Sequence, residues 1–351
     1  MSTPLPACFK PGAIAQIRRV SYQAIAAQAN TYATTHHIST ASADAYRVCL
    51  LAIDVQNTFC LPDFELFVGG RSGTGAVDDT RRLCEFIYQN LDVITEIVPT
   101  MDTHAATQIF HPLFWINSAG EHPEPMTMIS FEDVEAGKWM VSPDVAAGFS
   151  SSSAAIIPSS SIESFARYYA KQLADSGKYP LTIWPYHSML GGIGHALVPA
   201  FEEACFFHNI ARSSQTRFEV KGDNPLTENY SVLSPEVLTN ETNQPIAHKN
   251  SQLIQHLLSF DAVIVAGQAK SHCVAWTLSD LLSEIQSINP ALSQKIYLLE
   301  DCSSPVVVPD VVDFTAAADT LYQQFSEAGM HLVNSKDSFE TWPSFRKKCA
   351  D

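Results

Sequence analysis

Short apolar runs, each long enough for one buried β-strand, alternate along the chain with segments of helical periodicity. A strand that is buried on both faces is apolar throughout, and its alternation with helices is typical of a parallel sheet covered on both sides. The runs lie at residues 48–53, 93–100, 181–184, 216–220, 263–266, 296–299 and 331–333. The pattern predicts an α/β fold of three layers, α/β/α, around a parallel sheet of about six strands.

The remaining segments divide the chain. Helical patterns are predicted at residues 77–91, 162–174, 194–213, 252–258 and 313–328, with a weaker one at 14–27. We interpret residues 1–45 as an N-terminal extension that packs on a main domain of residues 46–335, and residues 336–351 as a C-terminal tail. The pattern loosens at about 112–180, a stretch too long for an ordinary loop, which predicts an inserted segment there.

Cys273 lies a short turn after a predicted strand. The apolar run 263–266 breaks at Gly267, crosses a short turn and brings Cys273 to the start of a helical pattern. A helix N-terminus favours the thiolate and can lower the pKa of a thiol by a unit or more from about 8.5. The alternative is that Cys273 is a small buried apolar residue, as most cysteines outside active sites are.

Polar residues also stand at or just beyond the ends of the other predicted strands. Because ligands bind at the carboxyl ends of strands in open α/β sheets, these side chains are candidates for one shared site. They are Asp54, Asp102, His104, His187 and Lys221. Each alone has an ordinary structural interpretation, as a turn or helix cap for an aspartate and as a hydrogen-bonded core residue for a histidine.

Two kinds of chemistry fit this set. Asp102 and His104, with the distant His187, are ligand types suited to a divalent metal with open positions for water or substrate. A thiol, a carboxylate and a lysine suit nucleophilic attack on an amide, with the carboxylate taking the thiol proton. His111 and His122 could add a ligand, but histidines in loops are more often solvated.

Composition excludes several partners. The formal net charge is −16, and no basic patch is evident beyond residues 81–82 and 346–348, which argues against nucleic acid and anionic membrane. No run reaches the roughly 18 apolar residues of a membrane span, and no export signal is evident. Eight cysteines without a C-x-x-C pair suit a reducing compartment, so we predict a cytoplasmic protein whose partner is a small molecule.

Five motifs, in order, resemble those of the isochorismatase-like cysteine hydrolases, and within them the nicotinamidases. Residues 54–59 (DVQNTF) are similar to D-x-Q-N-D-F, and residues 102–104 (DTH) to D-W-H. Residues 184–194 (WPYHSMLGGIG) resemble W-P-x-H-C-x-x-G-x-x-G, residues 221–222 with 230–231 resemble the lysine segment, and residues 267–274 (GQAKSHCV) resemble the nucleophile turn. Their joint occurrence is more specific than any single motif.

The resemblance implies the isochorismatase-like hydrolase fold and a role for each residue. Cys273 would be the nucleophile, Asp54 the general base and Lys221 the third member of a triad. The backbone N–H groups of Ala269 and Cys273 would form the oxyanion hole, after a cis peptide bond between Gln268 and Ala269. The metal ligands would be Asp102, His104 and His187, and Phe59 with Trp184 would sandwich the substrate ring.

The implied activity is metal-dependent hydrolysis of nicotinamide to nicotinate and ammonia through a thioester, in NAD salvage. The cofactor would be one divalent ion, Zn²⁺ before Mn²⁺, Fe²⁺ or Mg²⁺, and family members often form homo-oligomers. Departures at Thr58, Thr103, Ser188 and residues 270–272 leave another small amide or a carbamoyl compound as the alternative substrate. A non-catalytic binding protein on the same fold is a further alternative, which the complete triad disfavours.

Overall fold

The structure is a computed structural model that describes residues 3–151, 161–177 and 179–345. Its strands are β1 Val48–Ile53, β2 Glu96–Asp102, β3 Trp115–Ile116, β4 Met128–Ile129, β5 Met140–Val141, β6 Leu181–Thr182, β7 Glu219–Lys221, β8 Ala262–Gly267, β9 Ile296–Leu299, β10 Val307–Val308, β11 Val312–Asp313 and β12 His331–Val333. Its α-helices are α1 Tyr22–Thr35, α2 Asn57–Cys60, α3 Gly75–Gln89, α4 Phe131–Glu135, α5 Pro143–Ser151, α6 Ile162–Ser176, α7 Pro199–Arg212, α8 Ser251–Leu258, α9 Cys273–Ile288 and α10 Thr315–Glu327.

The central sheet has six strands among the described residues, in the order β12-β9-β8-β1-β2-β7. Every neighbouring pair in it is parallel. Parallel pairing requires a crossover between consecutive strands, and helices supply most of these crossovers. The predicted parallel sheet of about six strands is confirmed.

The two faces of the sheet carry separate cores. In the fully buried β1, Val48, Leu50 and Ala52 face one apolar cluster, while the residues between them face the other. Helices α1, α3 and α7 supply the first cluster, and α6, α8, α9 and α10 supply the second. This alternation gives the predicted three layers.

The N-terminal residues pack on the first of these faces. Helix α1 lies against α7, and its buried residues Ile25, Ala29 and Tyr32 follow helical spacing. The helix predicted at 14–27 is wrong in position, because α1 begins only at Tyr22. Ile14 and Val20 are buried, but they lie in the segment before α1, which is not α-helical.

The strand predicted at 181–184 does not belong to the central sheet. β6, which directly follows the predicted insert, instead pairs antiparallel with β4 of that segment, through Met128↔Thr182 and Ile129↔Leu181. A second small ladder there joins β3 to β5. An apolar run this short does not indicate which strand it pairs with. It would be buried equally well in a separate two-stranded ladder and at the edge of the central sheet.

The described part of the C-terminal tail is packed. Phe339 and Phe345 stack with ring centroids 4.4 Å apart, and Trp342 stacks on Phe86 of α3. The basic cluster at 346–348 and most of the Ser/Ala/Pro stretch at 150–161 lie outside the described residues. Over the part of the chain that is described, no helix combines the length and the apolarity needed to cross a membrane.

Candidate active site

Four strand ends meet at the carboxyl edge of the sheet. Asp54 follows β1 and Asp102 ends β2, while Lys221 ends β7 and pairs with Asp102 in the ladder. Strand β8 ends at Gly267, opposite Ile53, and the turn after it leads to Cys273. The predicted catalytic residues are thus brought together by parallel register.

The ammonium of Lys221 lies at the centre of this group. Nζ lies 3.1 Å from Oδ2 of Asp54 and 2.7 Å from Oδ1 of Asp102, and it lies 3.6 Å from Sγ of Cys273. It also donates to the carbonyl of Asn229 at 2.9 Å. Although burial disfavours a charged lysine, these two carboxylates raise the pKa of Lys221 well above its usual value.

Asp54 is fully buried beside this ammonium. Its backbone N–H donates to Oγ1 of Thr100 at 3.0 Å, and the Thr100 hydroxyl donates to Oδ1 of Asp54. Burial raises the pKa of the Asp54 carboxyl, with a further rise from Asp102 and an opposing effect of Lys221. The second oxygen, Oδ2, faces Lys221.

Cys273 is the first residue of α9, as the sequence predicts, but its thiol does not behave as expected. Burial raises the pKa of the Cys273 thiol well above its usual value, with Lys221 lowering it and Asp54 raising it further. The expectation of a lowered pKa is wrong, because desolvation of the buried sulfur outweighs the helix terminus and the nearby ammonium. At neutral pH the group is therefore a neutral thiol beside the Asp54 carboxyl.

The turn before Cys273 leaves two amide groups free. Neither the N–H of Ala269 nor that of Cys273 has an acceptor among the described residues. The peptide bond between Gln268 and Ala269 is cis, as the resemblance implies. The Gln268 side chain is held by Asp79, to which its Nε2 donates at 2.9 Å.

Asp102, His104 and His187 form a compact group of metal-ligand types. Their ligand atoms all lie within 4.8 Å of one another, and all three residues are buried. Nδ1 of His104 lies 3.0 Å from the carbonyl of Gly222, and Nδ1 of His187 lies 2.8 Å from that of Pro185. A carbonyl acceptor places a proton on Nδ1 and turns Nε2 toward the group, which is how histidine ligands are oriented in metal sites.

This donor set fits a divalent cation. Both Nε2 atoms lie near Oδ2 of Asp102, at 2.7 Å for His104 and 3.3 Å for His187. Although burial disfavours the charged form, His104 and Lys221 hold the pKa of Asp102 well below its usual range, so the carboxylate is available as an anionic ligand. Two imidazoles and one carboxylate are the ligand count of a catalytic zinc site with an open position.

The two loop histidines differ. The His111 ring lies 5.8 Å from that of His104 and 6.0 Å from that of His187, and its Nε2 is buried without a partner among the described residues. Burial, with these two neighbours, lowers the pKa of His111 to about 3. His122 is exposed, and its Nδ1 lies 2.7 Å from the carbonyl of Trp115, so it is not part of the group.

A cavity of about 120 Å³ opens onto these residues. An apolar cavity of roughly 150 Å³ takes up benzene, so this volume suits a ligand with one six-membered ring. Phe59 and Trp184, the predicted ring-binding residues, both line it, and the Trp184 indole donates to the hydroxyl of Tyr230 at 3.1 Å.

Two cavity residues were not assigned a role from the sequence. Glu228 is buried, and burial raises the pKa of its carboxyl to about 7, although His104 acts in the opposite direction. His272 precedes the thiol and lines the same cavity. The position of His272 beside Cys273 was a usable signal, whereas Glu228 lies in an irregular loop whose path follows from tertiary packing.

No protein-family model matches the chain, and a comparison with curated protein sequences found no match. Among solved structures, yeast nicotinamidase Pnc1p bound to the inhibitor nicotinaldehyde aligns over 82% of this chain and 100% of its own, at 17% identity and a TM-score of 0.50. An Acinetobacter baumanii nicotinamidase/pyrazinamidase aligns over 84% of this chain and 99% of its own, at 17% identity and a TM-score of 0.49. The similarity to Pnc1p establishes a shared fold.

Proposed function

We propose that this chain is an isochorismatase-like cysteine hydrolase that cleaves a carboxamide, with nicotinamide as the substrate and nicotinate and ammonia as the products. The observation that carries the proposal is the position of the Lys221 ammonium, 3.1 Å from Asp54 and 3.6 Å from the Cys273 sulfur. A binding protein has no need for a buried thiol, base and cation in mutual contact. In this proposal the enzyme acts in NAD salvage in the cytoplasm.

The first half of the reaction forms a thioester. Asp54 takes the proton of the Cys273 thiol as Sγ bonds to the carbonyl carbon, and the carbonyl oxygen becomes an oxyanion. When the oxyanion collapses, the C–N bond breaks and Asp54 returns the proton to the nitrogen, which leaves as ammonia. The raised pKa of the thiol favours this concerted transfer, because little thiolate exists before the substrate binds.

The second half releases the acid. Water attacks the thioester carbon while Asp54 takes one of its protons, and the C–S bond then breaks to give the carboxylic acid and the Cys273 thiolate. Asp54 then returns the proton to sulfur. Lys221 keeps its charge throughout and stabilises the negative charge that passes between Asp54 and Cys273.

The free amide groups suit the oxyanion. The N–H groups of Ala269 and Cys273 flank the nucleophile and have no acceptor in the described structure. Preorganised donors of this kind each stabilise a transition state by about 3 kcal/mol.

Asp102, His104 and His187 would hold one divalent cation, with Zn²⁺ the first choice for this donor set. When bound, the cation supplies a Lewis acid that accepts the lone pair of a ring nitrogen. Phe59 and Trp184 would hold the ring on its two faces, and they line a cavity of about 120 Å³.

Ammonia release from nicotinamide by the purified protein tests the proposal. We expect release that is abolished in Cys273→Ala and in protein treated with a chelator, and restored by Zn²⁺ or Mn²⁺. Cys205→Ala, which removes a buried thiol from α7, is the matched control and should keep its activity. Release that persists in Cys273→Ala would contradict the proposed nucleophile, and absence of release from the folded, metal-loaded protein would favour another amide or a carbamoyl compound.

A further inference from the structure

We propose that Asp79 is a positioning residue: it holds the side chain of Gln268 and thereby sets the direction of the Ala269 N–H, which would bind the oxyanion. The inference rests on the proposed function, and it adds a residue of helix α3 that is not among those lining the cavity. Its basis is a line of contacts from α3 to the turn before Cys273.

Gln268 places a polar side chain directly after the apolar strand β8. The residue is buried, and both ends of its side-chain amide have a partner. Nε2 donates to Oδ2 of Asp79 at 2.9 Å, and Oε1 accepts from the backbone N–H of Ser304 at 3.3 Å. Because one partner accepts and the other donates, the orientation of the amide is fixed.

Asp79 is itself held in place. Its other oxygen, Oδ1, accepts from Nη2 of Arg82 at 2.7 Å, three residues further along α3. Burial raises the pKa of the Asp79 carboxyl, while the donors Ser304, Gln268 and Arg82 oppose that rise. Each oxygen has its own donor, so the carboxylate cannot turn without leaving a buried donor unpaired.

Gln268 and Ala269 share the peptide bond that carries the free N–H. The backbone N–H of Gln268 donates to the carbonyl of Ile53 at 2.7 Å. The carbonyl of Ala269 accepts from the N–H groups of His272 and Val274, at 3.0 and 3.2 Å. With its nitrogen and its side chain both held, the Cα of Gln268 has one orientation. The peptide between two held residues then directs the Ala269 N–H one way.

An oxyanion donor acts only where the oxyanion forms. Such donors lie about 2.7–3.1 Å from the position of the oxyanion, and a displacement of about 1 Å can cost a hundredfold in rate. Asp79 therefore acts on the chemical step. It contributes neither to substrate binding nor to the reactivity of the thiol itself.

Asp79→Asn tests this hold. The new amide keeps one acceptor oxygen for the charged Arg82 and turns its NH2 group toward Nε2 of Gln268, so that donor meets donor. We expect kcat for nicotinamide to fall roughly tenfold to hundredfold, with KM changed less than about twofold. Asp78→Asn, at the preceding, half-exposed carboxylate, is the matched control and should change neither.

Exchanging the two groups provides a rescue. In Asp79→Asn/Gln268→Glu the amide at position 79 donates to the carboxylate at position 268, which still accepts from the N–H of Ser304, and the total charge is unchanged. We expect kcat to recover roughly fivefold or more over Asp79→Asn, the effect of one hydrogen bond. A double variant no faster than Asp79→Asn would overturn the proposal.

Alkylation of Cys273 by iodoacetamide, followed by mass spectrometry, separates positioning from a general loss of structure. The thiolate attacks a saturated carbon and displaces iodide, so no oxyanion forms. The rate and its pH profile should therefore be the same in the wild type and Asp79→Asn. An alkylation rate that falls as far as kcat would indicate a structural role and overturn the proposal, as would an unchanged kcat.

Hydrogen exchange distinguishes failure of this proposal from failure of the proposed function. The amides of Gln268 and Lys270 donate to the carbonyls of Ile53 and Ser304, and both should exchange faster in Asp79→Asn, whether or not nicotinamide is a substrate. If exchange rises but the wild type cleaves no amide, the proposed function fails and the hold on the turn stands. Equal exchange in the two proteins would overturn the hold itself.

Discussion

Oδ1 of Asp102 accepts a 2.7 Å hydrogen bond from Nζ of Lys221. The other oxygen of the same carboxylate, Oδ2, lies 2.7 Å from Nε2 of His104 in the group of metal-ligand types. One buried carboxylate therefore links the lysine of the proposed triad to the proposed metal site, and the two sites are not independent.

Asp102→Asn should affect both sites at once. Because the amide is neutral, we expect metal affinity to fall at least tenfold and ammonia release to fall with it. Metal content by mass spectrometry and activity after adding excess metal provide the two readouts. Asp78→Asn, at a half-exposed carboxylate on α3, is the control and should change neither. Full activity of Asp102→Asn at saturating metal would show that the link to Lys221 is dispensable.

Lys221→Met should destabilise the fold strongly. The substitution leaves the carboxylates of Asp54 and Asp102 buried without their cation, which costs about 3–5 kcal/mol in comparable buried pairs. Lys249→Met breaks an exposed ion pair with Glu284 and should cost less than about 1 kcal/mol. Urea denaturation of the metal-free proteins gives the free energy of unfolding of each variant. Similar losses of stability in the two variants would contradict the proposed role of Lys221 in the buried network.

Gly267→Ala tests the close contact between strands β8 and β1. Gly267 has φ +113°, and a Cβ there would lie 2.0 Å from the carbonyl oxygen of Ile53. Since Asp54 follows Ile53, we expect a loss of about 3 kcal/mol or more in stability, together with loss of activity. Gly73→Ala shares the left-handed backbone, φ +78°, but meets no atom within 4 Å, so it should cost only about 1–2 kcal/mol. Equal losses of stability in the two variants would mean that strand β1 shifts to accommodate the added methyl group.

His208 should make stability depend on pH below neutrality. Burial lowers the pKa of His208 to about 4 from the usual 6.5, while its Nε2 lies 2.8 Å from the carbonyl of Ile94. Well above pH 6.5 the residue is neutral in both the folded and the unfolded state. As the pH falls towards 4 the unfolded chain binds a proton that the folded chain does not, and up to about 3 kcal/mol of stability is lost.

The matched variant is His208→Gln, which should lose less stability than the wild type between pH 6.5 and 4 in denaturation experiments. His111 and His272, whose pKa values are also lowered, remain in both proteins, so the difference in slope reports His208. Parallel curves for the two proteins would assign the acid sensitivity to other groups.

The sequence by itself determined most of the elements and the residues at their ends. β1 and β9 lie where the apolar runs predict them, because a strand buried on both faces is a local pattern. The same pattern places Asp54 and Asp102 at strand ends, and parallel register then brings them together. Their catalytic and metal-binding roles stay predictions.

Tertiary structure decided the features that depend on distant segments. The pairing of β6 with β4 rather than with the central sheet depends on how the insert folds back. The neutral state of the Cys273 thiol depends on how completely other elements exclude water from it. Glu228 enters the cavity by the path of a loop without regular structure. Periodicity in the sequence reports which face of an element is apolar, whereas desolvation and loop path are set by residues far away in the chain.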